Sequence, residues 1–169
     1  MYPKKNISLR SLGSTQKMMN GAVAVELSLL LIPLLMLALG AAEFGRAIYQ
    51  YNTLVKAARD SVRHLSQLNP ASNSDLKTKT ESEAKCLAVH GNINCTGQPL
   101  APGLDNGMVK INGLHDPIYA TTSIGTKIAL IEVIIENYQF NFLLDPRTFN
   151  NNGQLSLTFG DIRATMRQS

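Results

Sequence analysis

Residues 18–46 read MMNGAVAVELSLLLIPLLMLALGAAEFGR. From Ala22 to Ala42 this stretch holds 21 residues and a single charge, Glu26. A bilayer core needs about 20 residues of helix, so the run is long enough to cross one. A core helix of a soluble protein is the competing reading, and it fits poorly because LSLLLIPLLMLALGAA is apolar on every face. Pro33 sits inside the run and is expected to kink the helix, which membrane helices tolerate. Glu26 is the anomaly. A carboxylate at mid-membrane costs about 2.5–3.5 kcal/mol, less near the end of a span, so a residue without a role is not expected there. The bland alternative is that Glu26 snorkels to the bilayer edge.

Working outward, the 169 residues suggest one domain with an appendage. The net charge of +4 is unevenly placed. Residues 1–20 contain Lys4, Lys5, Arg10 and Lys17 and no acid, and the rest of the chain is neutral. A nucleic-acid-binding domain would carry its basic patch on the folded part, so no nucleic-acid partner is expected. A basic head before an apolar run reads as a targeting segment. The Lys/Arg count flanking the run slightly favours an N-terminus on the cytoplasmic side.

Two cleavage sites compete. An ordinary secretory signal would be cut behind the apolar run, after Gly40 in ALGAA. That leaves a long head and an acid at the edge of the apolar region. The other cut lies ahead of the run, between Gly21 and Ala22.

The segment NGAVAVELSLLLIPLLMLALGAAEFGRAIYQYNTLVKAARDSVR resembles the N-terminus of TadE-like proteins, minor pilins or pseudopilins of the tight-adherence (Flp, type IVc) pilus system. The parts that carry the resemblance are Gly21, Glu26 five residues on, the apolar run with Pro33, and EFGRAIYQYNTLVKAAR. It covers about residues 21–65, and the rest matches more loosely. The resemblance implies a prepilin peptidase that cuts Gly21–Ala22, which makes Glu26 the fifth residue of the mature chain. The leader takes the excess charge with it. Residues 22 and 26 lie one turn apart on one helix face, and a carboxylate near a helix N-terminus is favoured by the dipole. By resemblance, Glu26 is expected to set subunit registration by pairing with the amine of a neighbouring pilin.

Beyond the run, Phe44, Ala47, Ile48, Tyr51, Leu54, Val55, Ala58, Val62, Leu65 and Leu68 recur at spacings of three and four, an amphipathic stripe. A continuous helix over Ala22–Leu68, ended by Asn69-Pro70, has its first half in lipid and its second half against a head. Arg46 and the tyrosines of FGRAIYQYN are read as plain packing. Residues 71–79 read as loop. Thr80 with Glu83 suggests a capping box for a short helix near 81–89, stopped by Gly91. Asn106-Gly107, Asn112-Gly113 and Asn152-Gly153 are turn or hairpin signals. Strand candidates are Met108–Asn112, Lys127–Leu144 and Gln154–Met166. In the second, Ile131, Val133 and Ile135 alternate on odd numbers, whereas Tyr138, Phe140, Phe142 and Leu144 alternate on even ones. The phase flip near Asn137 predicts a bend, bulge or turn.

Cys86 and Cys95 are expected to form a disulfide if the region is exported, worth roughly 2.5–3 kcal/mol in the chain-entropy model. Reduced thiols in a cytosolic domain, or a metal set of Cys86, His90 and Cys95, are the weaker readings. Asn94-Cys95-Thr96 fits a glycosylation sequon. No HExxH, P-loop, GxSxG or dinucleotide glycine pattern occurs, so no catalytic residue, metal, cofactor or small-molecule substrate is expected, and no enzyme.

The resulting expectation is an α+β protein with a pilin-like long N-terminal helix, transmembrane in its first half and amphipathic in its second, packed on a small antiparallel sheet. Residues 1–21 are the prepilin leader, 22–42 the transmembrane helix, 43–69 the amphipathic continuation and 70–169 a periplasmic α+β head. The chain is expected in the bacterial inner membrane, single-pass, with its N-terminus cytoplasmic, and then in the fibre. The expected partners are the prepilin peptidase, other pilins, pilus assembly proteins and inner-membrane lipid. The alternatives are a secreted binding module with an ordinary signal peptide and an uncleaved single-pass envelope protein.

Overall fold

A computed structural model of the chain describes residues 15–69, 71–143 and 155–168, with side chains from Gly21 onward. The fold is α+β: one long helix, one shorter helix and antiparallel sheets. The chain forms two compact units, Met1–Ala42 and Glu43–Ser169.

Helix α1 runs over Thr15–Ser66, 52 residues with Pro33 inside it. It starts seven residues ahead of Ala22, so part of the expected leader is helical; residues 1–14 and Pro70 lie outside the described residues. Arg63 and His64 in the last turn complement the negative end of the helix dipole.

Helix α2, Ser74–His90, corrects the expected loop at 71–79 and the expected Thr80–Glu83 capping box. Asn73 is the N-cap, its side chain accepting from the Leu76 N–H at 3.0 Å, with Asp75 in the first turn. Thr80 lies inside the helix, and its hydroxyl donates to the Leu76 carbonyl at 2.8 Å. Such back-bonding satisfies the hydroxyl inside the helix but does not itself stabilise it. What holds α2 is a buried edge of Ala84, Cys86, Ala88 and Val89, together with the Ser61 hydroxyl of α1, which donates to the Ala84 carbonyl at 2.7 Å. Gly91 ends α2 in the left-handed region, φ 72°, its N–H bonded to the Leu87 carbonyl at 3.0 Å.

The main sheet is built on β3, Lys127–Ile135. On one side β1, Val109–Asn112, pairs with 132–135 and β2, Ile118–Thr121, pairs with 127–130; on the other side β6, Ile162–Arg167, pairs along 130–135. All pairings are antiparallel. β4, Gln139–Asn141, and β5, Ser156–Thr158, form a separate two-stranded ribbon. The phase flip in the long apolar segment is the gap between β3 and β4, where Asn137 takes φ 58°; Leu144 lies outside the described residues. The expected strand Gln154–Met166 is two strands, broken at Phe159–Asp161, and Gln154 lies outside the described residues. β2 was not expected, since three of its four residues are exposed and carry no alternation.

The turn signals fare differently. Asn106-Gly107 opens a 3₁₀ turn over Asn106–Met108, capped by the Asp105 carboxylate, which accepts from Gly107 and Met108 N–H. Asn112-Gly113 leaves β1 but joins no hairpin, because the partner of β1 is β3. Gly113 has φ 86°, and an added Cβ would run into the Leu130 carbonyl oxygen, so only glycine fits. Asn152-Gly153 lies outside the described residues.

The core of the head joins Leu54, Ala58, Val62 and Leu65 of α1 to Ala84, Ala88 and Val89 of α2 and to Val109, Ile131, Val133, Ile135, Tyr138 and Ile162. The expected stripe thus holds from Leu54 onward. Ahead of it the stripe needs correction. Ala47 is buried as expected, but Phe44 is 68% exposed and Ile48 and Tyr51 are half exposed, whereas Glu43 and Gln50, which lie off the stripe, are buried. The buried polar groups there have partners: Glu43 accepts from Arg46, and Gln50 accepts from the Tyr138 hydroxyl just ahead of β4.

Candidate functional site

Every residue from Gly21 to Ala42 is exposed in the chain. The helix is long and apolar enough to cross a membrane, and none of its most apolar window is buried. Large apolar surface of this kind marks a lipid or protein contact. Gly21 and Ala22 both lie within α1, so the bond between them is helical. Glycine weakens the helix there, being about 0.8–1.0 kcal/mol less favourable than alanine in a helix. No atom lies within 4 Å of a Cβ built on Gly21. Glu26 is exposed on the same helix face as Ala22. Pro33 is accommodated within the helix and supplies no N–H to the Leu29 carbonyl. Ser28 turns its hydroxyl back to the Val25 carbonyl at 2.7 Å, which keeps that polar group satisfied within the helix.

At the start of the head, α1 and the ribbon share a polar contact that the sequence reading missed. Glu43 is only 9% exposed. Arg46 Nη2 donates to Glu43 Oε2 at 2.7 Å and to the Asn141 carbonyl at 2.6 Å. Its guanidinium also lies 4.5 Å from the centre of the buried Phe140 ring, a cation–π contact. One turn further, the Tyr138 hydroxyl can donate to Gln50 Oε1 at 2.9 Å or to the Pro102 carbonyl at 3.0 Å. Burial pushes the Tyr138 hydroxyl above its ordinary pKa, against the opposing effect of Arg46. Phe159 joins this group, 5.6 Å from Tyr51 and 5.5 Å from Tyr138 between ring centres. The available signal was the spacing of Glu43, Ala47, Gln50 and Leu54, which is helical and continuous with the buried face.

Cys86 and Cys95 are joined by a disulfide, with Cα atoms 4.7 Å apart. This leaves no thiolate for the Cys86–His90–Cys95 metal set. His90 Nδ1 instead lies 3.2 Å from the Gly97 carbonyl. The loop is organised by Asn92, whose side chain accepts from Asn94 and Thr96 N–H and donates to the Thr96 carbonyl. On α2, Glu81 takes Lys85 at 2.7 Å and His115 at 3.1 Å. The Lys85 hydrogen bond is the main cause that holds the Glu81 carboxyl below its ordinary pKa, outweighing desolvation.

Searches of curated proteins and of solved structures find no match. The apolar run with its single carboxylate, the Glu43–Arg46 turn and the buried helix face to Val62 all fall within residues 21–63, the segment that matches the family of TadE-like proteins.

Proposed function

We propose that this chain is a minor pilin or pseudopilin of a tight-adherence pilus, matured by a prepilin peptidase at Gly21–Ala22. The match to TadE-like proteins links it to that system. The observation that carries the finer reading is the uncovered apolar rod: 21 residues from Ala22 to Ala42, exposed throughout, with one acid at the fifth position after Gly21. Such a rod needs lipid before assembly and neighbouring helices afterwards. The N-terminus lies in the cytoplasm and the disulfide-bonded head in the periplasm, where disulfides persist. After cleavage, the Ala22 amine of one subunit pairs with Glu26 of another and sets axial register. Buried pairs of this kind specify geometry more readily than they add stability. The head then caps, primes or modifies the fibre, with other pilins and assembly proteins as partners.

Co-expression with a prepilin peptidase, read by mass spectrometry, tests this. The processed chain should begin at Ala22, and Gly21→Ala should block processing. Space around Gly21 is open, so the block would report the protease and not a misfolded substrate. One observation keeps a second reading in view: the compact head begins at Glu43, so an ordinary signal cut after Gly40 would spare it. A processed chain beginning at Ala41 and found in the soluble fraction would establish that reading.

A further inference from the structure

The two edges of the main sheet differ. One is shared by β1 and β2, four residues each, with a loop between them. Short, broken edges of this kind leave little room for another strand. The other edge is β6, six residues over Ile162–Arg167, which among the described residues pairs with β3 alone. Just past β6 the Gln168 N–H donates to the Ala129 carbonyl at 2.9 Å, and this fixes the hydrogen-bonding phase. Antiparallel pairs alternate between bonded and non-bonded, so Ile162, Ala164 and Met166 turn their backbone groups to β3. Arg163, Thr165 and Arg167 turn theirs outward, where they have no backbone partner among the described residues.

The side chains of β6 say what this edge accepts. They alternate between the two faces of the sheet. On the core face, Ala164 and Met166 pack against the core but are only partly buried, so a strand laid beside β6 completes their cover with apolar side chains of its own. On the outer face, Arg163, Thr165 and Arg167 are exposed. Arg163 takes Asp161 at 2.9 Å and Glu132 at 3.8 Å, whereas Arg167 takes no acid among the described residues. Opposite charges on neighbouring strands attract and like charges repel, so the edge favours a strand that brings a carboxylate beside Arg167. A second copy of this chain is a poor source of one. A β6–β6 pair gathers four arginines on one face, and the acids that come with them, Asp161 and Glu132, already take Arg163.

We propose that β6 is a docking edge for an extended segment of another protein, one that alternates apolar and acidic residues. The segment joins the sheet through the outward backbone groups of Arg163, Thr165 and Arg167. Its apolar residues cover Ala164 and Met166, and its carboxylate meets Arg167. Main-chain hydrogen bonds supply the affinity of such strand addition, and the alternating side chains supply its selectivity. The proposal concerns the head alone and stands apart from maturation at Gly21–Ala22.

The probe is a synthetic peptide that alternates valine and glutamate over the length of β6, and its counterpart carries lysine in place of glutamate. The full chain, isotope-labelled in detergent micelles at low salt, is followed by amide hydrogen exchange. Saturating glutamate peptide should slow the amides of Arg163, Thr165 and Arg167 about tenfold and leave those of Ala164 and Met166 unchanged, since the latter already bond to β3. The glutamate peptide should bind about tenfold more tightly than the lysine peptide, and Arg167→Glu should reverse that order. Thr165→Pro removes an N–H that faces away from the sheet, a change that edge strands tolerate. It should abolish the slowing while circular dichroism stays unchanged; if this variant unfolds, Arg167→Glu decides alone. Equal binding of the two peptides, or no slowing with either, overturns the proposal. Slowing of the outward amides without peptide, growing with protein concentration, also overturns it and makes a second copy the occupant.

Discussion

Residues 22–42 and 43–66 belong to one helix, yet they live by different rules. The first segment has no buried residue and no polar side, and the second buries one face against α2 and the sheet. Helix propensity does not separate them, because both are helical. What separates them is the partner. The head provides the second segment with its own core, whereas the first must find lipid or other helices outside the chain. A helix that is stabilised within its own fold tolerates water around it, and one that is not must be sheltered by something else.

The sharpest way to break this contrast is one substitution made twice. Leu54 is fully buried and Leu34 is 64% exposed. Leu54→Asp should unfold the head, since an unpaired carboxylate in a packed core loses both cavity contacts and hydration. Leu34→Asp should leave the thermal melt of the head unchanged but impair membrane insertion by about 2.5–3.5 kcal/mol, seen as chain lost from the membrane fraction. If both variants unfold the head, the two segments are not distinct.

Next in size is the disulfide. Reducing it, or replacing Cys86 and Cys95 with alanine, should cost the head about 2.5–3 kcal/mol in urea unfolding, with no effect on membrane retention. Arg46→Ala should follow. It strips Glu43 of its cation and frees the Asn141 carbonyl, so the head should lose about 1–3 kcal/mol. Arg46→Lys should restore little, because a point charge cannot make both bonds and also lie flat on Phe140. Glu43→Gln with Arg46→Ala should lose less than Arg46→Ala alone, since no buried charge is then left unpaired.

Tyr138 gives the smallest effect and a definite sign. Its folded pKa lies above the ordinary value of 10.0, so the neutral hydroxyl is favoured in the native state. That contribution is fully present below pH 10 and is lost as pH rises through the folded value. Tyr138→Phe should cost about 1 kcal/mol at neutral pH and should flatten the alkaline decline in stability measured by urea unfolding above pH 10.

How much of this was legible in sequence follows the same division. The apolar run needs only residue type and length, so it could be read directly. The stripe from Leu54 to Leu65 and the stop at Gly91 obey local periodicity and local φ. Asn137 could be found because a phase flip leaves a trace in alternation. The start of α2 was hidden because Asn73 and Thr80 are both good caps, and only the packing of Ala84 on Ser61 decides where the helix gains support. The burial of Glu43 and Gln50 beside Ala47 was hidden for a related reason. Gln50 accepts from Tyr138, 88 residues away, and Glu43 is paired with Arg46, which also reaches the Asn141 carbonyl, so hydropathy pointed to Phe44 and Ile48 instead. β2 is short and mostly exposed, and its existence depends on the hydrogen-bonding edge of β3.

The central claim is that the rod stays joined to the head in the mature protein. Intact mass spectrometry of the processed chain, recovered from membranes of cells that carry a prepilin peptidase, measures this directly. The account predicts a species that starts at Ala22 and retains Leu27 through Leu39. A mature species that starts at Ala41, free of the membrane, would contradict it.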